Sequence, residues 1–231
     1  MNSLERSNRD LEQFAFVASH DLQEPLRIIS IYSDLLLRKT NTASPDELRQ
    51  YREFIQEGVK RMSSLIRDVL QYSRVIHGEL QISPVDANIA VAEALKALRT
   101  SVEEADAEIA IEPLPTVQAA LYPLIQVFQN LLSNAIRYRR SNVPPIIRIA
   151  ARINEDVAIF EVSDNGAGFD QQYATKVFDL FTRLDNKRDG GTGLGLAFCK
   201  RVIERYGGRI WAESAAGVGT KLFFQLPLET Q

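Results

Sequence analysis

The chain has little cysteine, no long apolar run and no excess of basic charge, and each shortage narrows its function. Of 231 residues only one is cysteine, Cys199. A lone thiol closes no internal disulfide and builds no multi-cysteine metal site, which points to a reducing compartment. Cys199 itself reads as a small buried apolar residue. No apolar stretch reaches the ~18 residues of a membrane span, and the polar N-terminus is no signal peptide. The expectation is a cytoplasmic chain with no direct membrane span. Basic residues number 27 against 30 acidic, for a formal charge of -3. That balance argues against bulk nucleic-acid binding, which usually shows a basic excess. There is no internal repeat and no low-complexity segment. The content of 45% hydrophobic and 25% charged residues suits a globular chain with a real core, in one large or two small domains.

The first eighty residues read as two long helices. In the first, Leu11, Ala15, Ala18, Leu22, Pro25, Ile29, Tyr32 and Leu36 alternate spacings of four and three. In the second, Leu48, Ile55, Met62, Val69 and Ile76 recur every seven, with Val59 and Ile66 between them. Stripes this narrow suit a helical hairpin that packs as a bundle. Thr40 to Ala43 form a polar link, and Ser44-Pro45-Asp46-Glu47 supplies an N-cap serine, a first-turn proline and a capping-box glutamate. Two helices bury little alone, so pairing with a second copy into a dimeric four-helix bundle is expected.

After His77-Gly78 the pattern changes. Gln81 to Asp86 and Glu108 to Ile111 read as short strands, with a helix from Asn88 to about Val102. Leu121 to Arg140 is a helix ended before Pro144-Pro145. Ile146 to Ile153 and Val157 to Ser163 read as adjacent strands. A helix from about Leu194 to Tyr206 stops at Gly207-Gly208, and Arg209 to Ser214 with Thr220 to Leu226 form a final hairpin, Leu222, Phe224 and Leu226 pointing inward. The fold class is therefore α+β: an N-terminal helical hairpin, then an α/β sandwich. The expected domains are residues 1–80 and 81–231.

Several residue groups carry chemistry. Heptad counting puts His20 opposite the apolar stripe, where it adds nothing to the seam. Asp21 beside it can accept a proton from one imidazole nitrogen, leaving the other as a nucleophile. Pro25 removes a backbone donor near the next turn and can bend the helix. In the Leu121–Arg140 helix, Gln126, Asn130, Asn134 and Arg137 share one face, and Leu121, Leu124, Phe128, Leu132 and Ala135 the other. Two amides a turn apart beside a cation fit a magnesium–triphosphate surface, amide oxygen for the hard metal and cation for phosphate. Asp164-Asn165-Gly166-Ala167-Gly168 ends a strand with an acid and two glycines, which a plain turn also explains. Gly191-Thr192-Gly193-Leu194-Gly195-Leu196 runs into a helix, whose first backbone amides suit phosphate oxygens. Between these stretches, Phe169 to Gly190 fits a mobile lid anchored by Phe178 and Phe181. Either Arg183 or Lys187 can reach a γ-phosphate.

Taken together, the stretch Phe14 to Arg27 around Ser19-His20-Asp21 closely resembles the phosphoacceptor box of sensor histidine kinases, nearest the phytochrome branch. The later stretches resemble the ATP pocket of the gyrase, chaperone and histidine-kinase superfamily. The resemblance runs from about Leu11 to Leu228. It implies that His20 takes a phosphoryl group with Asp21 as assisting base, and that Asn134 holds Mg²⁺. Asn130 would support the ATP phosphates, with Arg137 standing where lysine is usual. Asp164 would bind the adenine amino group, Gly166 and Gly168 would let the ring approach, and Gly191, Gly193 and Gly195 would line the phosphates. Thr220 would stand at the adenine end. The implied partners are a second copy, in a homodimer, and a response-regulator receiver domain, with no nucleic acid. A polar helix under way from Met1 suggests a fragment, or a chain whose upstream sensor domain is absent. A nucleotide-binding scaffold, or an ATPase or serine kinase of the same superfamily, remains the alternative. Two departures stand out. Ala120 replaces a capping aspartate, at an expected ~1 kcal/mol. Glu24 stands where a hydroxyl or amide is common, which predicts weak phosphatase activity because a carboxylate repels a phosphoryl group.

Overall fold

The computed structural model describes residues 3–39, 42–78, 81–184 and 191–228, with only the backbone for residues 3–20, 76 and 77. The chain forms two compact units, one of residues 1–73 with 187–192, the other of residues 74–186 with 193–231.

The helical unit consists of α1 (Ser3–Lys39) and α2 (Pro45–His77), whose last turn belongs to the other unit. The expected capping box starts α2: Glu47 N donates to Ser44 Oγ at 3.3 Å, and Ser44 N donates to Glu47 Oε2 at 2.9 Å. The Ser44 amide and hydroxyl, both donating to Glu47 Oε2, hold its carboxyl below the usual carboxylate range. α1 runs unbroken through Pro25. The seam between the helices is formed by Tyr51, Gly58, Leu65 and Tyr72, all buried and seven apart, facing a buried Pro25. Tyr32 stacks on Phe54, ring centroids 4.4 Å apart.

The expected stripe of Leu48, Ile55, Met62 and Val69 is only half-buried, and Val59 and Ile66 are 45% and 46% exposed. A bundle helix carries two seams, one toward its hairpin partner and one toward other helices. Both repeat every seven, and the aliphatic one dominated the sequence pattern. Leu11, Ala15, Ala18 and Ile76 lie outside the described side chains.

The second unit is an α+β sandwich. Its sheet has the order β2 (Glu108–Ile111), β4 (Ile146–Asn154), β5 (Val157–Asp164), β7 (Gly219–Pro227), β6 (Arg209–Ala215). β2 runs parallel to β4 and the other pairs are antiparallel. Along β4, β5 and β7 alternate side chains are buried: Ile147 and Ile149, Ala158, Phe160 and Val162, Leu222, Phe224 and Leu226. They meet α4 (Leu121–Arg137), whose Phe128 sits edge-on to Phe160 at 6.0 Å and to Phe224 at 5.6 Å. Deleting such a fully buried ring typically costs about 3–5 kcal/mol. α5 (Gly195–Arg205) contributes Phe198, Cys199, Val202 and Ile203 to this core, and α3 (Ala87–Glu104) packs on α4.

Three details differ from expectation. β3 (Thr116–Ala119), paired antiparallel with β1 (Ser83–Asp86), has no counterpart in the sequence reading. Its partner lies far back in the chain, so no local turn or alternation marks the pairing. α4 ends at Arg137 rather than Arg140, because the carbonyl of Tyr138 turns away to accept from Ala167 N at 2.8 Å. Leu121, expected on the apolar face, is 42% exposed at the first position of α4, ahead of the core that starts at Leu124.

Candidate functional site

The last residue of β5 is the focus of the α/β unit. Asp164 pairs in register with Ile147 on one side and Thr220 on the other. Burial pushes its carboxyl above the usual value, and hydrogen bonds from the Gly166 and Thr220 amides oppose that rise. The Gly166 bond is 2.8 Å long. Asp164 is thus a half-buried acceptor at a strand end, held by backbone on two sides.

The loop after Asp164 is clamped in place. Ala167 N donates to Tyr138 O at 2.8 Å, tying the loop to the end of α4, and Gly217 N donates to Ala167 O at 2.6 Å, tying it to the β6–β7 turn. Gly168 has φ +59°, and a Cβ there would collide with the carbonyl oxygen of Ala215. Only glycine fits. At Gly166 a Cβ would lie 2.7 Å from Asp164 Oδ1 and 2.8 Å from Tyr138 O. Ser214 completes the floor: its hydroxyl accepts from Phe169 N at 2.9 Å, donates to Gly219 O at 3.0 Å and lies 3.1 Å from the Thr220 hydroxyl.

The second group of expected site residues starts on α4. Asn130, Asn134 and Arg137 are half-buried on the helix face opposite Phe128. Asn130 Nδ2 donates back to Gln126 O at 2.9 Å. Its Oδ1 abuts the start of α5, where a Cβ on Gly195 would come within 2.7 Å of it. Gly193 has φ +72°, and its carbonyl accepts from Phe181 N at 3.0 Å. That bond ties Phe181, one of the two expected lid anchors, to the residues just before α5. Phe178 is buried as expected of an anchor, and Gln171 fastens the lid's start to β6: Ser214 N donates to its Oε1 at 2.8 Å.

The α/β unit therefore brings together Asp164, Gly166, Gly168 and Thr220 around one strand end, and Asn130 against Gly195. His20 and Asp21 stand on α1 of the helical unit, and Gly191 and Thr192 group with that unit. The His20 side chain and Lys187 lie outside the described residues.

Three participants carried no local sequence signal. Ser214 lies 45 residues from the amide it accepts. Tyr206 anchors the start of α4 without capping it: its hydroxyl accepts from Ala120 N at 3.1 Å and donates to Ala120 O at 3.3 Å, and no side chain caps the helix. Burial pushes the phenol up, so it stays a protonated donor. The Arg205 guanidinium donates to the carbonyls of Val75 and Gly78, satisfying free groups where α2 ends.

Residues 10–78 match the family model of the His Kinase A (phospho-acceptor) domain, and residues 121–230 that of the histidine kinase-, DNA gyrase B- and HSP90-like ATPase. Cyanobacterial phytochrome A of Nostoc sp. is 42% identical over 228 residues, covering 98% of this chain and 30% of its own length. The phytochrome-like protein Cph1 of Synechocystis sp. is 40% identical over 227 residues, with coverage of 98% and 30%. Among solved structures, histidine kinase ThkA in complex with response regulator protein TrrA matches with a TM-score of 0.72 at 23% identity, over 97% of this chain and 64% of that one. That likeness is one of fold. The two family models and the phytochrome relatives show that the chain belongs to the sensor histidine kinases and corresponds to their catalytic core. It spans 30% of the length of those phytochrome relatives.

Proposed function

We propose that the chain is an ATP-dependent protein-histidine kinase that phosphorylates His20 and passes the group to an aspartate of a response-regulator receiver domain. Residues 1–80 act as the dimerisation and phosphotransfer domain of a cytoplasmic homodimer, and residues 81–231 as the ATP-binding domain. The observation that carries this reading is the half-buried Asp164 acceptor with its glycine-lined approach, in the same unit as the Asn130–Gly195 contact. Asp164 accepts from the adenine amino group beside Thr220, and Gly166 and Gly168 leave room for the ring. The backbone amides of Gly193, just before α5, and of Gly195, its first residue, face phosphate oxygens. Arg137 adds cationic charge to the same face.

No cluster of three His, Cys, Asp or Glu suited to a metal exists among the described residues. The half-buried Asn134 amide fits Mg²⁺, which is commonly held by a few protein oxygens together with substrate phosphates. The cation would neutralise charge on the phosphates as they react.

For transfer, Asp21 takes the proton from one imidazole nitrogen of His20. The other nitrogen bonds to the γ-phosphorus as its bond to the bridging oxygen breaks, and ADP leaves. Gln126 supports transfer over hydrolysis, because an amide cannot deprotonate water. Two half-exposed heptad stripes on α2 support the dimer. The experiment is a γ-labelled ATP incubation followed by a chase into a purified receiver domain. Label should enter the unmodified core and move to the receiver, while His20→Gln binds nucleotide normally and stays unlabelled. Equal labelling of that variant would refute the assignment.

A further inference from the structure

Glu24 and Arg61 form an ion pair across the helical hairpin, Arg61 Nη2 donating to Glu24 Oε2 at 2.8 Å. Packing places it there. α2 approaches α1 closely at Gly58, where a Cβ would lie 2.8 Å from Ile29 Cγ1 and 3.3 Å from Pro25 O. Glu24 adjoins Pro25, and Arg61 lies three residues past Gly58, so the close crossing brings the two charges into contact. Glu24 also stands four residues after His20 on nearly the same face of α1, a spacing that sets Cβ atoms about 5–6 Å apart. A carboxylate at that range repels a phosphoryl group on the histidine. Coulomb's law at ~6 Å with an effective dielectric of ~20 gives roughly a hundredfold effect for bare charges. The two side chains are 30% and 46% exposed. Solvent screening at such exposure reduces the effect to about three- to fivefold.

We propose that Arg61 is a positioning residue for the His20 reaction: by neutralising Glu24 it lets the anionic phosphoryl group form one helical turn away. The proposal rests on His20 as the phosphoacceptor. In the full chain, Arg61→Ala should slow labelling about three- to fivefold at low salt, with a smaller deficit at 0.5 M salt. Adding Glu24→Gln should restore the rate, because the charge needing compensation is gone. Glu24→Gln alone should label at least as fast as the unmodified chain. Arg61→Gln, which keeps a polar side chain but removes the charge, should behave as Arg61→Ala, with thermal melting confirming that each variant is folded. A double variant as slow as Arg61→Ala, or an Arg61→Ala rate that is unchanged or insensitive to salt, would overturn the proposal. Absence of label from the unmodified chain would instead count against His20 as phosphoacceptor.

Discussion

Replacing Gly195 with alanine tests the contact between α5 and the asparagine face of α4 in isolation. The three atoms nearest the new Cβ would all belong to Asn130, at 2.7 Å for Oδ1, 3.4 Å for Cγ and 3.9 Å for Cβ. Ordinary contact begins at 3.4 Å, so the amide oxygen must retreat by at least 3.4 − 2.7 = 0.7 Å. That movement strains the 2.9 Å bond from Asn130 Nδ2 to Gln126 O. Losing a bond of this kind costs about 0.5–1.5 kcal/mol. Alanine in place of glycine returns up to ~1 kcal/mol of helix propensity. The melting temperature should therefore move by no more than about 2–4 °C. ATP affinity should fall roughly tenfold if Asn130 supports the phosphates, since one hydrogen bond of ~1.4 kcal/mol corresponds to that factor. Isothermal calorimetry on Gly195→Ala, Asn130→Ala and the double variant provides the assay. The double variant should bind no more weakly than Asn130→Ala, because the clash and the lost contact are the same event. Unchanged affinity in Gly195→Ala, or fully additive losses, would refute the reasoning.

Asp164→Asn should weaken adenine-dependent affinity, since the amide keeps one acceptor oxygen but loses the charge, yet stabilise the fold at neutral pH. With its folded-state pKa raised by burial, the native protein holds the proton more tightly than the unfolded chain, so stability falls as pH rises through that window. Melting curves should show the gain in the variant at pH 7 and its disappearance below about pH 4, the ordinary carboxylate value. Tyr206→Phe removes both hydroxyl contacts with Ala120 and should cost about 1–3 kcal/mol in urea denaturation. Burial pushes the Cys199 thiol up, so alkylating reagents should label it only on unfolding, a result mass spectrometry reads directly. Val59→Lys with Ile66→Lys should split the proposed dimer in light scattering without unfolding the hairpin, because both side chains are exposed within one protomer.

Much of this was legible because local patterns carry it. The Ser44–Glu47 box, the alternation along β7 and the amphipathic face of α4 each reflect a period or cap complete within a few residues. Asp164 and the glycines near it could be singled out for the same reason. What the sequence did not reveal depends on distant pairings. Arg61 lies 37 residues from Glu24, so charge reasoning on α1 alone treated the carboxylate as bare. Tyr206 lies 86 residues from Ala120, so its hold on the backbone at the start of α4 had no local signal. On α2, the seam through Tyr51, Gly58, Leu65 and Tyr72 was masked by the more apolar stripe beside it. Gly58 marks a close helix crossing that hydrophobic periodicity cannot register.

The central claim is that His20 is the residue phosphorylated from ATP, and the chemical stability of the label tests it most directly. A phosphoramidate on imidazole is acid-labile and alkali-stable, unlike a serine or threonine ester. Incubation with γ-labelled ATP and Mg²⁺, acid and alkali treatment of matched samples, and peptide mapping should give a label that survives alkali, is lost in acid and maps to His20. An acid-stable label, or one that maps elsewhere in the chain, would contradict the account.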